Sequence, residues 1–307
     1  MYSIGYMSTS NLTVSQLKAL VALAETGSFT LASERLGVTQ PAVSHTIRQV
    51  EELLQRSLFD RQRDRTVPNA AGRLALIEAR LALVHMERLE YAVKGEAALQ
   101  SGSLRLGCFA SAVHWILPAA IAEFSRRYPS IAVEVIESAD ESSPATIAER
   151  RVDLGMVNLP CPSLWTMQIF EDDLCIAAIS DLGASGELKH YEHAPFVFPR
   201  GQLEPLIEAA FVSAGFKPGL ITSVTAHGPA LTLALVRARR GYTLMPVSAL
   251  MGQDLSEIVA APIEPRIVRH VAFAAPSSET LSPAARAFLE IIEEANLPKP
   301  AMSLPYS

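Results

Sequence analysis

The stretch from Gly27 to Leu54, GSFTLASERLGVTQPAVSHTIRQVEELL, constrains this chain more than any other. It predicts two short helices joined by a tight turn. Ser28 is placed to cap a first helix whose apolar side carries Phe29, Ala32 and Leu36. Gly37 lets the backbone turn with no Cβ to clash. Thr39 is expected to cap the second helix, and Pro41 falls in its first turn, where a missing N–H costs nothing. Val38, Val43, Ile47 and Val50 are then expected to face inward, with Gln40, Ser44, His45 and Arg48 outward. Ala32 and Ser33 are small enough for the two helices to cross closely. This is the layout of a helix-turn-helix, whose second helix offers its N-terminal side chains to base edges in the major groove. Gln and Arg are the side chains that pair in bidentate fashion with adenine and guanine.

Charge follows the same division. The whole chain of 307 residues is acidic, with 26 Lys/Arg against 32 Asp/Glu. Residues 1–73 nevertheless hold eight basic and six acidic residues, whereas 101–307 hold fifteen and twenty-two. Arg48, Arg56, Arg61, Arg63, Arg65 and Arg73 all fall inside that basic head. A basic module ahead of an acidic body suits a DNA reader joined to a separate sensor.

The chain is expected to divide into a disordered extension at 1–10, a DNA-binding helix-turn-helix segment at 11–69, a long helix at 70–100, an α/β region at 103–297 and a tail at 298–307. In the long helix Ala75, Ala79, Ala82, Met86, Leu89 and Val93 step by four and three, which keeps one stripe toward a partner helix. A second row, Leu74, Ile77, Leu81 and Val84, runs beside it as far as Arg88. Asn69 is the expected N-cap. So wide an apolar face predicts a dimer helix, the alternative being a core helix of a single domain. Beyond Ser103, short apolar runs alternate with amphipathic segments, which predicts two mostly parallel sheets with ligands at strand carboxyl ends or between subdomains. Strands are expected at 104–109, 131–137, 152–157, 174–179, 196–198, 220–225, 242–245 and 268–274.

The Gly27–Leu54 stretch, continued by Leu58-Phe59-Asp60-Arg61 and Ala71-Gly72, resembles the signature of LysR-type transcriptional regulators over about residues 13–73. The remainder fits more loosely, through Leu104-Arg105-Leu106-Gly107, Tyr128-Pro129, Val152-Asp153-Leu154-Gly155 and Gly241-Tyr-Thr-Leu-Met-Pro246. The resemblance implies a winged helix-turn-helix, a dimerising linker helix and a two-subdomain effector domain of the periplasmic-binding-protein type (103–173 with 273–297, and 174–272). It implies that Thr39, Gln40, Pro41, Ser44, His45 and Arg48 lie at the groove and that Arg61, Arg63 and Arg65 form a wing at phosphate or the minor groove. His45 stands where many relatives carry Arg, which leaves open an exposed residue with no readout role. Arg61, Arg63 and Arg65 have the alternative of solvated pairing with Asp60 and Asp64.

For the effector, the resemblance implies a helix start near Ser111, whose free N–H groups favour an anion. Phe198, Pro199, Arg200, Thr225, His227 and Met245 would face it. Plain alternatives stand beside these: a cap at Ser111, a loop arginine at Arg200, a turn residue at His227, a core residue at Met245. Relatives carry a second glycine near Arg239; here Arg237, Arg239 and Arg240 make that helix end basic. The implied partners are double-stranded DNA with dyad symmetry, a small anionic metabolite, RNA polymerase at the promoter and further copies of the chain as a homodimer or homotetramer.

Other classes fit less well. Cys108, Cys161 and Cys175 are an odd number without a C-x-x-C pair, against a disulfide framework or a zinc site. No cofactor is expected. An enzyme with a DNA-binding head would need a phosphate-cradling glycine loop, a G-x-S-x-G elbow or a metal-spaced cluster, and the sequence has none of these. An envelope solute-binding protein lacks a use for the N-terminal module, and an architectural DNA binder lacks one for the acidic body. No leader and no stretch of about 20 wholly apolar residues is evident, so a cytoplasmic protein without a membrane span is expected.

Overall fold

The short helices at the N-terminus form because their apolar positions repeat at helical spacing; Thr13 and Ser28 cap the starts of the first two, and left-handed Gly27 and Gly37 end them. In the computed structural model, which describes residues 12–63, 65–95, 99, 102–110, 116–137, 143–201, 203–215 and 222–295, the chain separates into two compact units, residues 1–98 and 99–307. The first holds α1 (Val14–Thr26), α2 (Phe29–Leu36), α3 (Gln40–Leu54), the two-stranded wing β1 (Phe59–Arg61) and β2 (Thr66–Pro68), and α4 (Ala70–Lys94). Leu20, Leu23, Ala32, Val43, Ile47, Val50 and Leu76 are buried together. Each large apolar side chain so buried contributes roughly 1.5–3 kcal/mol.

Ser28 caps α2, accepting from Leu31 N, and Gly37 ends it in the left-handed region at φ 66°. Two expectations fail locally. Thr39 is the N-cap of α3 by backbone geometry, yet its hydroxyl makes no cap hydrogen bond; its carbonyl alone receives Ala42 N and Val43 N. Val38 is 49% exposed, because it lies in the turn, where the helical period that buries Val43 and Ile47 does not apply.

The second unit is built on a seven-stranded sheet among the described residues. Parallel strands β3 (Gly102–Cys108), β4 (Ile131–Glu137) and β5 (Leu154–Asn158) lie with β3 in the middle. Beside β5 run β11 (Val268–Ala275) and then β6 (Trp165–Ile179), each antiparallel to its neighbour. The far half of β6 leaves β11 and is flanked instead by β9 (Thr243–Pro246) and β10 (Ile258–Pro262), both antiparallel to it. A separate parallel pair, β7 (Phe196–Arg200) and β8 (Thr222–His227), approaches β9 through a Phe196–Tyr242 bridge.

Helices α5 (Leu117–Arg127), α6 (Pro144–Ala148), α7 (Glu204–Ser213), α8 (Pro229–Arg237) and α9 (Pro283–Glu294) complete the α/β unit. The expectation of mostly parallel sheets is therefore corrected. One 15-residue strand, β6, serves two antiparallel neighbourhoods. Its first half carries Gln168, Glu171, Asp172 and Asp173, which hide its strand character from an apolar-run reading.

Arg239 takes φ 57°, the left-handed conformation that a glycine adopts without strain. Its guanidinium pairs with Asp181, while Arg237 stands 3.8 Å from Asp254. A left-handed non-glycine residue costs about 1–2 kcal/mol. Replacement by glycine removes that strain but adds unfolded-state entropy of about 0.5–1 kcal/mol. It also loses an exposed ion pair worth about 0–1 kcal/mol. Arg239→Gly is thus expected to unfold within about 0.5 kcal/mol of the wild type in urea titration. A loss above about 1.5 kcal/mol would show the Asp181 pair to be structural.

Candidate functional site

Helix α3 presents two faces of opposite character. Val43, Ile47 and Val50 are sealed in the core of the N-terminal unit. Gln40, Pro41, His45 and Arg48 are exposed and Ser44 is half-buried. Gln40, Ser44 and Arg48 recur every four residues and so share one stripe of the helix. Arg48 donates from Nε to the Ser44 carbonyl at 3.3 Å, which aligns its side chain along that stripe.

The wing is pinned to this platform. Thr66 N donates to Gly27 O at 2.8 Å, tying β2 to the turn before α2. Glu51 on α3 accepts from Leu58 N at 2.7 Å and from Ser57 Oγ at 3.4 Å, holding the entry into β1. That role is invisible in sequence, where Glu51 is one more polar helix residue. Arg61, Arg63 and Arg65 are all exposed. Arg61 differs from the others in that its guanidinium packs over the Phe29 ring, 5.6 Å from the centroid. It therefore braces the wing on α2. No ion pair joins Asp60 to these arginines among the described residues, and Asp64 lies outside them.

On α4, Asn69 accepts from Gly72 N at 2.9 Å, capping the helix start. Leu76 and Ala79 are buried within the unit. Farther along, Met86, Leu89 and Val93 are 43%, 59% and 80% exposed, and Leu74 is 68% exposed. The apolar stripe is thus uncovered along its C-terminal half.

The second unit contains a cavity of about 300 Å³ at the carboxyl ends of its strands. Glu137 and Asn158 stand there at the ends of β4 and β5, Pro199, Arg200 and His227 at the ends of β7 and β8, and Met245 on β9. Gly228 and Pro229 bring the N-terminus of α8 to the wall. Of the residues expected to face a ligand, Pro199, Arg200, His227 and Met245 line it. Phe198 does not: it is buried against Phe211, and its ring supports the Arg200 guanidinium from below at 5.6 Å. Thr225 is exposed away from the wall, and Ser111 lies outside the described residues. Arg200 is already engaged by Glu204, one helical turn on. The cluster of Arg237, Arg239 and Arg240 forms no part of the lining.

The most heavily buried charge on the wall, Arg269, carries no local sequence signal. Arg269 is 1% exposed at its side chain and Asp172 is 0% exposed. Nε and Nη2 of Arg269 donate to Asp172 Oδ2 at 2.9 and 2.7 Å, and Nη2 also reaches Ser248 Oγ at 2.9 Å. Asp172 accepts in addition from Ser248 N and Oγ, at 3.1 and 2.7 Å. The three residues come from β11, β6 and the turn Val247–Leu250, and meet where β6 passes from one neighbourhood to the other. Burial pulls the Arg269 pKa below its usual value, while Asp172 opposes the shift. Burial, reinforced by Glu137, pushes the Cys108 thiol up to about 12, and Cys175 is raised likewise. Both are therefore inert small hydrophobes at neutral pH.

Comparison with known proteins agrees with this anatomy. Residues 14–73 match the family model described as "Bacterial regulatory helix-turn-helix protein, lysR family", and residues 97–296 match the "LysR substrate binding domain". The uncharacterized HTH-type transcriptional regulator YvbU of Bacillus subtilis (strain 168) is 28% identical over 92% of this chain and 98% of its own length. YbhD of Escherichia coli (strain K12), also an uncharacterized HTH-type regulator, is 28% identical over 91% of this chain and 90% of its own. A full-length OxyR variant from Pseudomonas aeruginosa has the same fold, with a TM-score of 0.75 at 18% identity, covering 97% of this chain and 99% of that one. CbnR, a LysR family transcriptional regulator, aligns with a TM-score of 0.60 at 22% identity over 92% and 99% of the two chains. Among the described residues, no helix is long and apolar enough to cross a membrane, and no group of three or more potential metal ligands occurs.

Proposed function

Because the chain belongs to the LysR family of bacterial transcriptional regulators, we propose that α3 reads a dyad-symmetric DNA site through Gln40, Ser44 and Arg48. It is a DNA-binding regulator with a substrate-binding domain, not an enzyme. The carrying observation is the division of α3: its buried face fixes the helix, and its exposed stripe holds the two side chain types suited to bidentate base contacts. Thr39, Pro41 and His45 border that stripe. Arg63 and Arg65 reach phosphate, while Arg61 holds the wing at the correct height.

A homodimer forms through the uncovered stripe of α4, and a homotetramer by further pairing of dimers. Two recognition helices about 34 Å apart would then meet successive major grooves. The working compartment is the cytoplasm, where promoter DNA and RNA polymerase are found. The cavity beside Arg200, His227 and the start of α8 takes a small effector bearing an anionic group, favoured by the helix dipole.

DNA retained in a binding selection supplies the operator. Gln40→Ala and Arg48→Ala are expected to lower discrimination between operator and mismatched sites by about 1–3 kcal/mol each. Arg63→Ala is expected to weaken binding to all sequences and reduce the salt slope by about 1. Anisotropy titrations over a salt series read both quantities. Unaltered selectivity in both helix variants would remove α3 from the groove.

A further inference from the structure

We infer that the effector is a zwitterionic amino acid with an apolar side chain, its carboxylate received by Nη1 of Arg269 and its ammonium group by Glu137. This rests on the reading of the cavity as the effector site and names the chemistry of that ligand.

The first observation is an unfinished hydrogen-bond set. Arg269 lies on the cavity wall almost wholly buried, with Nε and Nη2 held by Asp172 and Ser248. Nη1 is buried and has no hydrogen-bond partner among the described residues. Buried guanidinium nitrogens are ordinarily matched, so an orphan at a cavity wall calls for an acceptor that arrives with a ligand. The Phe109 ring covers one face of the guanidinium, 5.0 Å from its centroid, so an acceptor for the buried Nη1 has to approach in the plane of the group. A carboxylate fits that approach best.

The second observation is charge balance. Arg269 is neutralised by Asp172, and Arg200 by Glu204. Among the described residues, Glu137 at the end of β4 is then the unmatched charge on the cavity wall. A ligand with a carboxylate alone would bring a second negative charge to a wall that already carries one. A cationic group on the same ligand reverses the sign of that interaction. His227 also lines the cavity.

The third observation is the rest of the lining. Phe109, Leu203, Met245 and Ala249 make much of the wall apolar. The volume of about 300 Å³ is at the small end of ligand sites, which span about 300–1,000 Å³. Together these features select one carboxylate, one ammonium and a compact apolar body.

Calorimetric titration of the full-length protein with the twenty common L-amino acids, each at up to millimolar concentration, tests this directly. At least one apolar member is expected to bind. Its deaminated acid and its decarboxylated amine should each bind at least tenfold more weakly. Glu137 is exposed, so Glu137→Gln should fold normally; it should weaken the amino acid at least tenfold and leave the deaminated acid bound as tightly or more tightly, since the repulsion is removed. Arg269→Lys should weaken both ligands; where that variant unfolds, weak binding of the decarboxylated amine to the wild type still tests the need for a carboxylate, and equal binding of amine and amino acid overturns it. Equal binding of the deaminated acid and the amino acid, or an unaffected Glu137→Gln, overturns the inference while leaving an anionic effector standing. Failure of every amino acid and every deaminated acid overturns both, without touching the assignment of α3 to DNA.

Discussion

Asp172→Ala is expected to destabilise the effector-binding unit by about 3–5 kcal/mol, a large effect for a single polar substitution. The reason is asymmetry. The pair Asp172–Arg269 is fully desolvated, so its formation yields little net stability, but removing one member strands the other charge. Ser248 would lose its acceptor for both N and Oγ at the same time. Exchanging both charges, as in Asp172→Ala with Arg269→Met, should recover more than half of the loss, since no charge is then left buried.

The measurement is selective by composition. Both tryptophans, Trp115 and Trp165, fall in the second unit. Urea unfolding followed by tryptophan fluorescence therefore reports on that unit without interference. A loss under about 1 kcal/mol for Asp172→Ala would mean that the pair is hydrated in solution.

Gly72→Ala should do comparable damage to the other unit. A Cβ on Gly72 would overlap Leu58 O and stand 3.2 Å from Pro68 Cβ. The obstructing carbonyl cannot swing aside cheaply, because it accepts Asn69 N at 3.0 Å in the cap of the same helix. Alanine improves helix propensity over glycine by about 1 kcal/mol. Overpacking against fixed backbone typically costs about 1–3 kcal/mol, and more where nothing yields. The clash prevails, with a net loss of about 2 kcal/mol or more. Operator affinity should fall with the wing's displacement, while the tryptophan transition stays at its wild-type position. Wild-type operator affinity in Gly72→Ala would show that the start of α4 does not bear on the wing.

The N-terminal unit was largely legible from residues alone because its determinants are local. Caps at Ser28 and Asn69, the left-handed Gly37 and the three-and-four spacing of Val43, Ile47 and Val50 each act within one or two helical turns. The failures there are local as well. Val38 sits outside the period, and Thr39 caps by backbone only. In the second unit the strands β3, β4, β5, β7, β8, β9, β11 and the second half of β6 could be found as apolar runs, whereas β10, the first half of β6 and the pairing of all of them could not. Pairing depends on register across the sheet, and β6 meets β11 about 100 residues away in sequence. Glu51 and Glu137 carry no sequence signal for the same reason, being ordinary polar residues until folding gives them neighbours.

Short-range periodicity and capping suffice to specify the helix-turn-helix module, the apolar stripe of α4 and the α/β character of the rest. Which charges face the cavity depends on long-range contacts made in folding. The tertiary structure withdraws Arg200 into a pair with Glu204, moves Phe198 and Thr225 off the wall, and brings Arg269 beside Asp172 from 97 residues away. A buried ion pair is specified by the meeting of two strands, and no local pattern in one chain encodes that meeting.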